Sequence, residues 1–160
     1  MLTTDLLKTG AKWEMRRATK GCAALIPAKC GLYMFVYRSH LTMEIEGKPA
    51  HRQTWVLYVG RAGSIDSTRT LRNRYAEEYS KYVGGDLENL WADSEPRTRP
   101  NVLNRYLTIF PLEYWFLVID DRGLIVGLED RLIKLFCPPL NKTGKLRIRT
   151  GTPQPAFKEL

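Results

Sequence analysis

The chain has little with which to bind a soft metal or to staple itself together. Among 160 residues it carries two histidines, His40 and His51, and three cysteines, Cys22, Cys30 and Cys137. No two of the cysteines form a CxxC pair, and their odd number points to free thiols in a reducing cytoplasm rather than a disulfide framework. With so few His and Cys donors a zinc site is not expected, and any metal would be a hard cation held by oxygen, Mg²⁺ or Mn²⁺. Long apolar runs are also missing. Met1 to Arg17 offers no unbroken apolar core of a signal peptide, and no later segment is long enough to span a membrane. A cytoplasmic protein with no membrane partner is the expectation. There is no internal repeat.

What the chain does have is positive charge. Its 25 Lys and Arg outnumber 17 Asp and Glu, for a net charge of +8, and the pI is near 9.5. That is the balance of a protein that meets polyanions. The acids are spread along the chain, so this is not a basic disordered tail. The length and a hydrophobic fraction of 44% suit one domain with one core. The expected organisation is a single domain over 1–160, with an N-terminal helix, a helical insertion near 83–111 and a basic C-terminal tail.

Thr4 is a cap for a first helix with Leu6, Leu7, Ala11 and Met15 on one side. Gly31 to Tyr37 is an apolar and aromatic run that reads as a buried strand, and Thr54 to Arg61 as a second. The polar stretch between them, with Gly47 and Pro49, reads as a long hairpin connection. Thr70 to Tyr82 predicts a helix whose apolar face carries Leu71, Tyr75, Tyr79 and Tyr82. A short helical piece is expected around Leu87 to Trp91, and Pro100 opens another helix through Ile109. Leu112 to Ile119 is a third strand. Asp120-Asp121-Arg122-Gly123 turns it into a last helix that Cys137-Pro138-Pro139 ends. The order predicts an α/β chain of the α+β kind, a small mixed sheet with helices packed on it.

On that last helix Gly127, Asp130, Arg131 and Lys134 share one polar face. Glu129 does not. Its neighbours one turn away are Ile125, Val126, Leu132 and Ile133, so its carboxylate comes from the apolar side. A carboxylate there must neutralise, pair with a cation or bind a metal, because an unpaired buried charge costs several kcal/mol, roughly. A structural ion pair with an interior-facing arginine satisfies that requirement as well as a catalytic role does.

Five pieces in order resemble a known family. Gly31-Leu32-Tyr33 and Tyr58-Val59-Gly60 look like the two halves of the GIY-YIG nuclease motif. Leu71-Arg72-Asn73-Arg74 resembles the helix start that carries the family's arginine. Leu128-Glu129 and Pro139-Leu140-Asn141 resemble its glutamate and asparagine elements. The resemblance spans Gly31 to Asn141. It implies a small central, mostly antiparallel three-stranded sheet flanked by helices, and metal-dependent hydrolysis of DNA phosphodiester bonds. The position one turn after the arginine, often histidine or tyrosine in the family, is Glu78 here, with Tyr79 one residue late.

The implied catalytic residues are Tyr33, Tyr58, Arg74, Glu129 and Asn141. Arg74 would stabilise charge gathering on the phosphoryl oxygens, with Arg72 as the alternative. Glu129 would hold one Mg²⁺ or Mn²⁺ that acts as Lewis acid toward the leaving oxygen. A tyrosine has an ordinary pKa of roughly 10 and serves as base only if cations lower it. Arg61, Arg74 and the metal would do that for Tyr33, with Tyr58 as the alternative base or its hydrogen-bonding partner. Asn141 would brace the site through its amide. Arg61, Arg72, Lys142, Lys145, Arg147 and Arg149 are the candidate nucleic-acid contacts, and Arg97, Arg99 and Arg105 a second patch. A standalone domain of this kind fits restriction or phage defence. A non-catalytic nucleic-acid-binding module with the same fold is the alternative. RNA as well as DNA stays open, and cutting both strands would need a homodimer or two encounters.

Overall fold

A computed structural model describes residues 12–43, 46–47, 51–90 and 98–142. The fold is α+β. Strands β1 (Glu14–Arg17), β2 (Gly31–Met43), β3 (His51–Ala62) and β4 (Leu112–Val118) form one antiparallel sheet in the order β1-β4-β2-β3. The helices are α1 (Leu71–Arg74, continued by a π-turn over Tyr75–Tyr79), α2 (Arg99–Tyr106) and α3 (Arg122–Phe136). Short 3-10 turns cover Lys20–Leu25 and Leu87–Leu90.

The sheet therefore has four strands where three were expected. The extra one stands where the N-terminal helix was to end, Glu14 to Arg17 pairing with Phe116 to Glu113. Strand β4 would otherwise present an unpaired backbone edge, and filling it outweighs the local pattern of a four-residue segment, too short to show period-2 alternation. The remainder of the expected helix, 1–11, lies outside the described residues.

Central position explains the unbroken apolar run of β2, which is covered on both faces. Leu32, Met34 and Val36 meet Ile125, Leu128, Leu132 and Ile133 of α3. Tyr33 and Phe35 point the other way, into a cluster with Leu71, Tyr75, Tyr79, Tyr114 and Phe116. Between Phe35 and Val36 the ladder to β3 shifts, Phe35 facing Tyr58 and Val36 facing Val56. Leu57 is the extra residue of this bulge, and it joins Tyr58 on the aromatic face.

Each helix boundary has a local cause. Thr70 caps α1 by accepting from the Asn73 amide at 3.2 Å. Thr98 caps α2 in the same way, with Pro100 at its first turn. Asp121 caps α3, accepting from the Gly123 amide at 2.9 Å, and Cys137 ends it in the left-handed region at φ 44°. In α1 the spacing of Leu71, Tyr75 and Tyr79 is four residues each time, which in a regular α-helix drifts around the axis. The π-turn, closed by the Ser80 amide donating to the Tyr75 carbonyl at 2.9 Å, winds wider and keeps Tyr75 and Tyr79 on the sheet.

Gly60 stands opposite Tyr33 in the β2–β3 ladder, and the Tyr33 ring lies across it. A Cβ at Gly60 would come within 2.5 Å of both Cζ and Oη of Tyr33. The ring has no room to retreat, since Tyr114 stacks on it at 5.5 Å and Tyr79 meets it edge-on at 5.7 Å. Gly60→Ala should lower stability by about 1–3 kcal/mol, as overpacking a filled core does. Urea denaturation measures this, and an unchanged midpoint would show that the aromatic cluster is loose.

Candidate active site

Strand β3 is at the end of the sheet, so its outer edge must find hydrogen-bond partners elsewhere. The chain just past α3 supplies them. The Leu140 amide donates to the Leu57 carbonyl at 3.1 Å. Asn141 then uses both ends of its side-chain amide on one residue, Oδ1 accepting from the Val59 amide at 2.9 Å and Nδ2 donating to the Val59 carbonyl at 2.8 Å. A buried side chain here does what a neighbouring strand would do. Asn141 accordingly has its amide committed to the scaffold.

This clamp draws the end of α3 against β3, and between them and α2 lies a cleft of about 480 Å³. Tyr58 and Arg61 come from β3, Arg99 from the start of α2, and Glu129 and Asp130 from α3, while Asn141 and Lys142 close one side. Arg61 Nη1 donates to Glu129 Oε2 at 2.5 Å, so the carboxylate from the apolar side of the helix finds a cation on the facing strand. The Glu129 side chain is only 14% exposed. Burial raises its pKa above the ordinary carboxylate value, and Arg61, with a weaker contribution from Arg74, pulls it part of the way back. Of its four expected apolar neighbours, Ile125, Leu132 and Ile133 are buried and Val126 is 41% exposed.

Behind Tyr58 stand two more phenols. The Tyr58 ring lies 6.1 Å from that of Tyr33 and 5.8 Å from that of Tyr79. The Tyr33 and Tyr79 hydroxyls are 2.8 Å apart, and Tyr79 also interacts through its hydroxyl with Tyr58. Tyr33 is 1% exposed and does not line the cleft. Burial pushes its phenol well above the ordinary tyrosine value, and Tyr79 and Tyr58 push the same way. Desolvation is the largest influence on Tyr33. Tyr58 is the phenol that reaches the cleft.

Arg74 is oriented by Glu78, which sits one turn further on and accepts from Arg74, from Arg69 at 2.6 Å and from Arg99 at 3.4 Å. Burial works against the Arg74 charge, and the Glu78 carboxylate beside it offsets that, keeping the guanidinium protonated. Arg74 also favours the charged form of Glu129, more weakly than Arg61 does. Arg72 is engaged elsewhere, its Nε donating to the Ile26 carbonyl at 2.8 Å, outside the cleft. Arg74 does not line the cleft either; it is tied to it through Glu78, which also holds Arg99 of the lining. Lys145, Arg147, Arg149 and Arg97 lie outside the described residues.

Two members escape a reading of the sequence. Asp130 belongs to the polar face of α3, yet it lines the cleft beside Glu129. Tyr79 looks one residue late in an α-helix after Arg74; the π-turn absorbs the additional residue and turns it inward to Tyr33. A run of tyrosines at four-residue spacing is the one signal for it.

No family model, curated protein or solved structure matches this chain. Its chemistry has to be read from the cleft itself. A larger groove of about 550 Å³ lies on the α3 face between β3 and the end of α3, lined by Trp55, Val56, Trp115 and Phe136 among others. Cys137 is the one ionisable side chain on its lining among the described residues, so proton or phosphate chemistry belongs to the smaller cleft. Among the described residues no three His, Cys, Asp or Glu side chains converge. A hydrated Mg²⁺ or Mn²⁺ fits, since such an ion needs one or two carboxylates and keeps several waters. The carboxylates on the cleft lining that could take part are Glu129, now paired with Arg61, and Asp130. No described helix is long and apolar enough to cross a membrane.

Tyr33, Tyr79 and Tyr114 are all held neutral by burial beyond the pH at which an ordinary phenol, near 10, ionises. A raised folded-state value contributes stability that is whole below pH about 10 and declines as the pH climbs past it. Alkaline titration should therefore show these phenolates appearing together with loss of near-ultraviolet circular dichroism. Tyr79→Phe should flatten the alkaline decline. Phenolate signal from all tyrosines in a still-folded protein would contradict the burial.

Proposed function

We propose that the protein is a metal-dependent endonuclease that hydrolyses nucleic-acid phosphodiester bonds in the β3-edge cleft, as the resemblance to GIY-YIG nucleases implies. The observation that carries this reading is the convergence of Tyr58, Arg61, Glu129 and Asn141 from three separate segments on one cleft, with Arg74 tied to its rim through Glu78 and Arg99. The π-turn adds to it: Glu78 keeps the place one turn past Arg74, and Tyr79, one residue later, is turned inward to the Tyr33 hydroxyl.

In this reading each side chain has a task. Arg61, Arg99 and Lys142 attract the phosphodiester and hold it against the rim. The Tyr58 oxygen takes the proton of the attacking water after its own proton has left to solvent through the open cleft, and Tyr33 and Tyr79 hold its ring in place from behind. Arg74 stabilises charge on the phosphoryl oxygens as it builds. Glu129, turning from Arg61, would hold Mg²⁺ or Mn²⁺, which when bound supplies Lewis-acid stabilisation of the departing oxygen. Asn141 keeps β3 and α3 in register so that Tyr58 and Glu129 face the same space. Restriction or phage defence is the setting we infer for a domain of this kind.

A second reading, a nucleic-acid-binding module without catalysis, is favoured by one observation: Arg61 already neutralises Glu129 at 2.5 Å. Supercoiled plasmid with Mg²⁺ or Mn²⁺ separates the two. Nicking that needs the metal, vanishes in Glu129→Ala and drops by about 10²-fold or more in Tyr58→Phe supports the enzyme. Salt-sensitive binding by the wild-type protein, with no nicking under any metal, would leave the module. Asn141→Ala should reduce stability by about 2 kcal/mol or more, because it strands both backbone groups of Val59. Thermal melting of the variant reads that out independently of activity.

A further inference from the structure

The cleft is not built for phosphate alone. Its cations, Arg61, Arg99 and Lys142, share the lining with four aliphatic side chains: Val102 and Leu103 from α2, Ile133 from α3, and Leu140 beyond it. A phosphodiester backbone has nothing to offer such a surface. In an intact duplex the base faces are stacked on one another, so a duplex presents phosphates, sugars and groove edges and keeps its apolar faces hidden. An unpaired nucleotide offers both chemistries at once, an anion for the rim and a flat apolar face for the aliphatic wall. The volume, about 480 Å³, lies in the range of pockets that enclose single small molecules and well below the bulk of a double helix. Helices α2 and α3 stand on its two sides, so a strand must come in between them to bring its phosphorus near Tyr58 and Glu129.

We propose that this cleft takes one unpaired nucleotide, and that the substrate class is single-stranded or locally unpaired nucleic acid rather than intact duplex. The inference rests on the nuclease reading for the reaction but not for the binding. Val102 is the residue that tests it, being half-buried on the cleft wall and outside the set assigned to the chemistry. An aspartate there places a charge where the base would lie.

The experiment uses the full-length Glu129→Ala protein, so that bound strands stay whole, and fluorescence anisotropy at one fixed salt concentration. The probes are a labelled DNA oligonucleotide, the same strand annealed to its complement, the annealed duplex with an unpaired flap, and an RNA strand of the same sequence. Single strand and flap should bind at least about tenfold tighter than the duplex, a difference on the scale of one base packed on a protein surface. Adding Val102→Asp should remove most of that preference while duplex binding changes little. Equal or tighter binding of the RNA strand keeps the proposal and assigns the substrate to RNA. Duplex binding as tight as single strand, or a Val102→Asp loss shared equally by all probes, overturns it. Should the wild-type protein cut none of these substrates while Glu129→Ala still prefers the single strand, the binding inference stands and the nuclease reading fails.

Discussion

One carboxamide holds the candidate site together. Strand β3 ends the sheet, and the groups on its outer edge would otherwise face solvent or another molecule's strand. Asn141 satisfies Val59 at both its amide and its carbonyl, and the preceding residue's amide reaches Leu57. The consequence extends well past the edge itself. Because Cys137 stops α3 in a left-handed turn and Pro138 and Pro139 stiffen the short run up to Leu140, the position of Asn141 fixes where α3 ends. Glu129, two turns back along that helix, then meets Arg61 two residues along β3 from the clamped Val59. A bond made for backbone satisfaction thereby sets the distance between a strand's cation and a helix's acid.

The other side of the sheet has a different logic. Tyr33, Phe35, Tyr58, Tyr75, Tyr79 and Tyr114 form one cluster, with ring centroids as close as 4.8 Å for Tyr75 and Tyr114. Aromatic side chains fill such a core well but bring hydroxyls that must be satisfied. Tyr75 donates to the Thr19 carbonyl at 2.7 Å, and Tyr33 and Tyr79 satisfy each other at 2.8 Å. Burial is the main reason both phenols resist ionisation, and a second charge beside a first would be harder still to form. Tyr58 is the one member that shares both environments, packed against Tyr33 and Tyr79 on one side and lining the cleft on the other.

Much of this is legible in the sequence, and the unreadable parts share a cause. Strands β2, β3 and β4 announce themselves as apolar, β-branched and aromatic runs, and α3 by its capping Asp121 and the cysteine and prolines that end it. Glu129 stands out because a carboxylate among Ile125, Leu132 and Ile133 needs a partner, and either of two partners satisfies the helix geometry. Which one it has depends on Arg61, 68 residues away in sequence, and no local pattern encodes that distance. Strand β1 is hidden for a similar reason. Glu14 to Arg17 becomes a strand through the open edge of β4, far along the chain. The π-turn is subtler. Its signal is four-residue spacing of aromatic residues, which a regular helix tolerates with some drift, and only the sheet beneath makes the wider turn favourable.

Glu78 shows how the two halves of the site are joined. Its carboxylate gathers Arg69 from the loop before α1, Arg74 from α1 itself and Arg99 from the start of α2. Three guanidiniums around one acid leave the group positively charged, so the acid organises the cations without cancelling them. Side chains with many rotamers are costly to immobilise when a ligand arrives, and a guanidinium already held by a carboxylate has much of that ordering done beforehand. Arg99 also lies 3.4 Å from the Tyr79 hydroxyl, so the same acid that fixes the cleft's rim touches the phenol cluster through one intervening side chain. A residue that breaks the histidine-or-tyrosine pattern one turn after Arg74 is thus coherent with its surroundings: from that position Glu78 holds Arg74 and anchors α2 to the body of the fold, while the π-turn brings Tyr79 inward.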